Sequence, residues 1–204
     1  KLTGKPIQVI WSRAEEFFYD TFRPAAVVDL TTGVDAEGRM TLWDYHVHFA
    51  GSRGSDLWYD VPNAEIKVSG EWMGNRSGAH PFSVGAWRAP AANTNVFAME
   101  SQVDAMAAAA GMDPLAFRLQ NTTDPRMRRV LQQAGEAFDW TERAGVRGDG
   151  RGRGIACGID AGTYVALAAE VRVDALSGRI QVERVVCVQD MGIVVNPMGA
   201  TMQA

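Results

Sequence analysis

Cysteine is nearly absent: Cys157 and Cys187 are the only two in 204 residues. An iron–sulfur cluster or a tetrahedral zinc site takes about four ligands, so two thiols can supply neither. Both stand in apolar, strand-like sequence and read as small buried hydrophobes, with a disulfide between neighbouring strands left open. Surplus positive charge is also missing. With 20 basic against 24 acidic side chains and a net charge of -4, the composition gives no reason to expect a nucleic-acid partner, which needs a basic surface. No apolar run approaches the roughly 20 residues of a membrane-spanning helix, so no such segment is expected. The chain opens Lys1-Leu2-Thr3-Gly4-Lys5, with neither an initiator methionine nor an apolar stretch behind the charges, and reads as an interior piece of a longer protein. Disorder is excluded from the other side, since 47% hydrophobic and 22% charged residues are ordinary for a packed core.

The pattern of elements starts with a short apolar run, Ile7 to Trp11, which reads as a strand followed by a polar bend over Ser12–Glu16. Ala25–Thr32 and Met40–Phe49 read as a hairpin joined by the turn-forming Gly33-Val34-Asp35-Ala36-Glu37-Gly38-Arg39. Along its second strand Trp43, Tyr45, Val47 and Phe49 share an apolar face, and Leu42, Asp44, His46 and His48 share the other, mostly polar one. Glu65–Met73 gives a further strand. Beyond Pro90 the period changes. Val96, Met99, Val103, Met106 and Ala110 recur at helical spacing, with Asn93 or Asn95 as N-cap and Gly111 as terminator. Asp113-Pro114 and Asp124-Pro125 each combine a capping aspartate with proline at the first helical position, and so start two more helices. Gly145–Gly154 reads as a linker, and Tyr164–Val173 with Arg179–Val188 as a second hairpin. Strands, then helices, then strands imply an α+β fold: a mostly antiparallel or mixed sheet of hairpins with helices packed on one face. The divisions are 1–74 for the first hairpin region, 75–140 for the central loop and helices, 141–154 for the linker and 155–204 for the second hairpin.

Three features could carry chemistry. His46 and His48, two apart on a strand, could reach one metal ion, but no carboxylate or cysteine stands at a ligand spacing, and a solvated strand face explains them as well. His80 is far from both in sequence. The run Gly148-Asp149-Gly150-Arg151-Gly152-Arg153-Gly154 is glycine-rich, yet it follows a helix and precedes a strand, the reverse of a phosphate loop. Ser83–Asn95 is the third. It packs glycine, Trp87, Arg88 and Pro90 into a tight loop ahead of a helix N-terminus, where small residues let backbone N–H groups approach a ligand and the helix start adds donors and partial positive charge. Those features suit an anionic or electron-rich ligand. The alternatives are a core Trp87 and an Arg88 paired with a carboxylate such as Glu100.

Gly85-Ala86-Trp87-Arg88-Ala89-Pro90, then Phe97–Asp104 and Gly111–Asn121, resemble the xanthine dehydrogenase and aldehyde oxidase family of molybdenum hydroxylases. The likeness is to its two-subunit bacterial branch, typified by isoquinoline 1-oxidoreductase. Val9–Glu16 with Arg23-Pro24-Ala25 is similar to the segment that opens the family's cofactor domain. Gly152–Ala156, Tyr164-Val165-Ala166 and Val194-Val195-Asn196-Pro197 are similar to strands that follow the helices. The resemblance implies a fragment of a molybdopterin-binding domain. In the whole protein a molybdenum centre on molybdopterin, plain or as the cytosine dinucleotide, uses water to oxidise an aldehyde or hydroxylate an N-heterocycle. Electrons pass to iron–sulfur clusters in a separate small subunit, since this chain lacks the cysteines for them. By the same resemblance Gly85, Ala86, Trp87 and Arg88 lie against the cofactor and Pro90 near the substrate pocket. The compartment, bacterial cytoplasm or periplasm, is left open.

The family's Met-Gly-Gln-Gly motif and its Gly-Glu segment bearing the catalytic base are absent from this chain. None of Glu15, Glu16, Glu65, Glu71, Glu100 or Glu170 stands in the base's context, so no catalytic residue is placed here and no cofactor is expected in the piece on its own. The other class of reading is a non-catalytic scaffold that only contacts the iron–sulfur partner.

Overall fold

The computed structural model describes residues 3–71, 83–141 and 149–203. Its first element is a helix, not a strand. The run Ile7–Trp11 lies exposed and unpaired, and the expected bend is helix α1, Arg13–Tyr19. The cause is local: Ser12 accepts from the Glu15 N–H while the Glu15 carboxylate accepts from the Ser12 N–H, a capping box that closes the first turn. Apolar side chains without a partner strand do not make a sheet.

Strands β1 (Val27–Val34) and β2 (Met40–His48) form the expected antiparallel hairpin, and β3 (Ala64–Ser69) adds to β2 in parallel. The β2 alternation is as its sequence implies, with Trp43, Tyr45 and Val47 buried and Leu42 and Asp44 exposed. Met73, the expected end of the third strand, lies outside the described residues.

Three helices follow: α2 (Ala92–Ala109), α3 (Pro114–Gln120) and α4 (Pro125–Phe138). Asp113 and Asp124 cap α3 and α4 as expected, each carboxylate accepting from two N–H groups of the first turn. Helix α2 differs. It begins at Ala92 after Ala91, with no side-chain cap, so neither Asn93 nor Asn95 is the cap. Asn95 is instead buried inside the first turn, where it accepts from the Tyr45 hydroxyl at 2.6 Å and donates to the carbonyls of Gly51 and Arg53. Met99, Val103 and Met106 turn into the core, as their spacing requires.

The glycine-rich run is the second correction. From Arg151 it is strand β4 (Arg151–Asp160), not a connection, while 145–148 lie outside the described residues. β4 pairs with β5 (Thr163–Val173), which pairs with β6 (Ile180–Asp190), giving a second, wholly antiparallel sheet. Its inner face carries Ile155, Cys157, Ala166 and Ala168 into the core. Beyond them the same face carries charge: Arg153 pairs with Glu170, and Arg151 and Arg172 with Glu183. A strand of alternating glycine and arginine is held because its arginines find carboxylates on β5 and β6, which local sequence cannot show. A last helix, α5 (Pro197–Gln203), has no counterpart among the expected elements.

Helix α2 touches strands of both sheets, and α4 covers β5 and β6. The fold is thus α+β, with the helical layer between residues 92 and 138 sharing one core with both sheets. Among the described residues no helix is long and apolar enough to cross a membrane.

Candidate functional site

The loop of residues 83–91 stands at the head of α2, seated on the segment that leads into β1. The Phe22 N–H donates to the Ser83 carbonyl at 2.9 Å and the Gly85 N–H to the Phe22 carbonyl at 3.0 Å. Gly85 has to be glycine here: a Cβ would fall 2.3 Å from Thr21 Oγ1 and 2.8 Å from Thr21 Cβ. The Trp87 indole N–H donates to the Thr21 carbonyl at 2.9 Å, so the ring is anchored although about half exposed. Arg23 closes the seat. One guanidinium nitrogen donates to the Arg88 carbonyl at 2.9 Å and another to Asn93 Oδ1 at 2.5 Å.

Within the loop Ala89 and Ala91 hold φ of 50° and 60°. A residue with a Cβ is disfavoured there by about 1–3 kcal/mol, and such strain gathers where structure serves a ligand or a switch. The conformation has a second effect. The N–H groups of Ala92, Asn93 and Thr94 donate to the carbonyls of Pro90, Ala89 and Ala91. The head of α2 is therefore satisfied internally and is not the open set of donors its sequence suggests. Open donors lie in the loop itself: among the described residues the N–H groups of Ala86, Trp87 and Arg88, like those of Ala89 and Ala91, have no acceptor. Arg88 itself is exposed and its guanidinium has no ion-pair partner among the described residues.

The alternative pairing of Arg88 with Glu100 fails, because Glu100 is committed elsewhere. Arg118, fully buried, donates to Glu100 Oε2 at 2.9 Å and to Asp104 at 2.7 Å. Glu100 also accepts from the Tyr59 hydroxyl and the Cys157 N–H, each at 2.7 Å. Burial opposes the charge of Arg118, but Glu100, Tyr59 and Asp104 together hold its pKa well above the ordinary value. Burial pushes the Cys157 thiol up, with Glu100 adding to the effect, so it stays protonated and is no nucleophile. Both cysteines are free, and Cys157 is the small buried hydrophobe its context implies.

His46 and His48 are part-buried on β2, each with a polar neighbour. His46 contacts Ser69 at 2.8 Å, His48 contacts Asp29 at 3.2 Å, and their rings lie 3.9 Å apart. Among the described residues no group of three or more His, Cys, Asp or Glu is gathered for a metal, and His80 lies outside them.

Beside the loop an open apolar groove of about 290 Å³ runs between the head of α2 and the second sheet. Ala89, Ala92 and Val96 form one wall and Ala156, Gly158 and Leu167 the other. The structure thus brings Gly85, Ala86, Trp87, Arg88 and Pro90 together on one seated loop. Arg23 and Thr21, the other parts of that seat, carry no signal of their own in the sequence, although Arg23-Pro24 belongs to a stretch that bears the family resemblance.

Comparison with known proteins bears on this loop. The family model described as molybdopterin cofactor-binding domain matches residues 1–122, and a second model of the same description matches 159–204. A nicotinate dehydrogenase polypeptide of Pseudomonas putida is 28% identical over 98% of this chain and 19% of its own length. The beta chain of isoquinoline 1-oxidoreductase from Brevundimonas diminuta is 30% identical over 95% of this chain and 27% of its own length. The chain therefore spans about a fifth to a quarter of the curated relatives it matches. Among solved structures, quinoline 2-oxidoreductase from Pseudomonas putida 86 superposes with a TM-score of 0.56 at 16% identity, over 85% of this chain and 28% of that one. That likeness shows the fold.

Proposed function

Since the chain belongs to the molybdopterin cofactor-binding domain family, we propose that it forms part of the catalytic subunit of a molybdenum hydroxylase and that Gly85, Ala86, Trp87 and Arg88 are its contact with the cofactor. The whole protein oxidises an aldehyde or hydroxylates an N-heterocycle with water, and passes electrons to an iron–sulfur small subunit. The cofactor is molybdopterin, plain or as the cytosine dinucleotide. Residues 1–74, 75–140, 141–154 and 155–204 are all pieces of the one cofactor-binding domain. The relatives' names support the reaction class, since two of them act on nicotinate and isoquinoline by name and others are aldehyde oxidoreductases.

One observation carries the site: an exposed Arg88 that, among the described residues, has no ion-pair partner, beside N–H groups without acceptors there, on a loop held in a disfavoured conformation. Unclaimed donors and an exposed cation suit an anionic, acceptor-rich group. When bound, that group supplies the redox and Lewis-acid chemistry by which water reaches the substrate carbon. The chain's own residues bind and orient. Arg88 offers a planar fork of donors, the N–H groups of Ala86–Arg88 add neutral ones, and the anchored Trp87 ring gives a rigid wall. Pro90, which has no N–H to solvate, borders the substrate side, where the apolar groove beginning at Ala89 limits water. No residue of this chain is assigned as the base.

The test is molybdenum by mass spectrometry and pterin by fluorescence in the polypeptide expressed from its full reading frame, beside Arg88→Ala. Loss of a hydrogen-bonded charge should lower cofactor content by about tenfold. Thermal stability should hold, because the Arg88 side chain has no partner among the described residues. Equal cofactor content in both proteins would sink the assignment.

A further inference from the structure

We propose that Arg23 is a positioning residue, whose fork holds the 85–91 loop in the arrangement that presents Arg88. The inference rests on the reading of that loop as a cofactor contact. Arg23 reaches the loop from the strand-side segment, 65 residues away from the Arg88 carbonyl and 70 from Asn93. Those two acceptors bracket the turn in which Ala89 and Ala91 sit at positive φ. A disfavoured backbone persists only where its surroundings over-determine it. Below the turn the constraint is Thr21, packed against the bare Cα of Gly85 and bonded to Trp87. At the turn itself it is Arg23.

The geometry needs the fork and not just the charge. A guanidinium has five donors fixed in a plane and can bridge a carbonyl and a side-chain amide at once, whereas an ammonium is a point charge on a flexible stem. Holding the Arg88 carbonyl fixes the peptide that follows Arg88. The Arg88 side chain is then carried outward with the three open N–H groups before it. Without Arg23 the turn can relax toward ordinary φ and the loop loses the hold on its Arg88 carbonyl.

The experiment uses the 204-residue chain labelled with 5-fluorotryptophan and followed by fluorine NMR, the Trp87 resonance being assigned with Trp87→Phe. Trp43 and Trp58, both in the core, are internal controls. Arg23→Ala should shift or broaden the Trp87 resonance and leave the two core resonances in place. In the polypeptide from the full reading frame, the same change should lower molybdopterin content by about tenfold, the worth of one hydrogen bond to a charged group. Arg23→Lys should restore only part of that content. Asn93→Ala, which removes one acceptor and keeps the arginine, should move the Trp87 signal less, and it carries the test if Arg23→Ala does not fold. An unmoved Trp87 signal, or full recovery with lysine, overturns the proposal. Absence of molybdopterin from the wild type would overturn the cofactor reading instead, and the Trp87 signal alone would then decide on Arg23.

Discussion

At the scale of single residues, the glycines separate into those the fold requires and those it does not. Gly85 admits no Cβ because Thr21 stands in its place. Gly152 and Gly154 face open space in a regular strand and have no such need within this chain. Gly85→Ala should therefore lift the loop off its seat. The expected outcome is loss of the Trp87–Thr21 hydrogen bond, seen as greater exposure of Trp87 to iodide quenching, while global stability falls by about 1–3 kcal/mol, the usual cost of overpacking. Gly154→Ala, by contrast, should stabilise the strand by about 0.5–1 kcal/mol in chemical denaturation. The residue scale is also where sequence reading is least complete. Trp87 and Arg88 stand out by type and by family resemblance. Arg23 belongs to a stretch that bears the resemblance, but its role does not show in the sequence, because its partners are brought to it only by the path of the chain.

At the scale of elements, what is legible is what is local. Asp113-Pro114 and Asp124-Pro125 cap their helices through bonds two or three residues long, and β2 shows its buried face by simple alternation. β4 is hidden because glycine reads locally as a breaker, while its pairing with β5 is decided by side chains elsewhere. Ile7–Trp11 fails in the opposite way, being strand-like in composition with no strand to join. The joint between α4 and β6 makes a pH prediction. Arg126, in the first turn of α4, binds both carboxylate oxygens of Asp190 at the end of β6 and lies 4.2 Å from the Tyr164 ring centroid. The Arg126 hydrogen bonds, helped by the Gly192 N–H, pull the Asp190 pKa from 3.8 to about 2. A depressed folded-state value means that the contribution is present above pH 3.8 and is lost as the pH falls towards about 2. Wild type should thus be more stable than Asp190→Asn at neutral pH, and the two should converge near pH 2 in denaturant titrations. A constant gap across that window would refute the linkage. Elsewhere in the helical layer Met99→Ala, a fully buried truncation, should cost about 2–5 kcal/mol.

At the scale of the molecule, both sheets meet at one buried polar cluster. Glu100 of α2 takes the Tyr59 hydroxyl from the chain between β2 and β3, the Arg118 guanidinium from α3 and the Cys157 N–H from β4. The sequence puts Glu100 and Arg118 on helices but carries no sign that they meet, since a buried charge is recognisable only by its partner. A pair like this is weak as a source of stability when compared with an apolar replacement, yet strongly destabilising to break from one side. Glu100→Ala leaves Arg118 charged with no solvent, the Tyr59 hydroxyl without that acceptor, and a backbone N–H of β4 unsatisfied. The expected loss is about 3–5 kcal/mol. It should not be evenly spread. Asp104 still holds one arm of Arg118, and the β1–β2 hairpin keeps its own apolar contacts with α2, whereas β4 loses its direct hydrogen bond to that helix. Hydrogen exchange should therefore quicken first at the Cys157 N–H and along β4, with the amides of β2 protected until global unfolding. Arg118→Met with Glu100→Leu, which removes both charges and fills their volume, should recover much of the lost stability. Recovery by the double change, with β4 exchange returned to its wild-type rate, would mean that the cluster's part is to join the two sheets through neutral packing as well as charge. If β4 stays loose in that double variant while the core is otherwise stable, the Cys157 N–H bond to Glu100 is itself the joint.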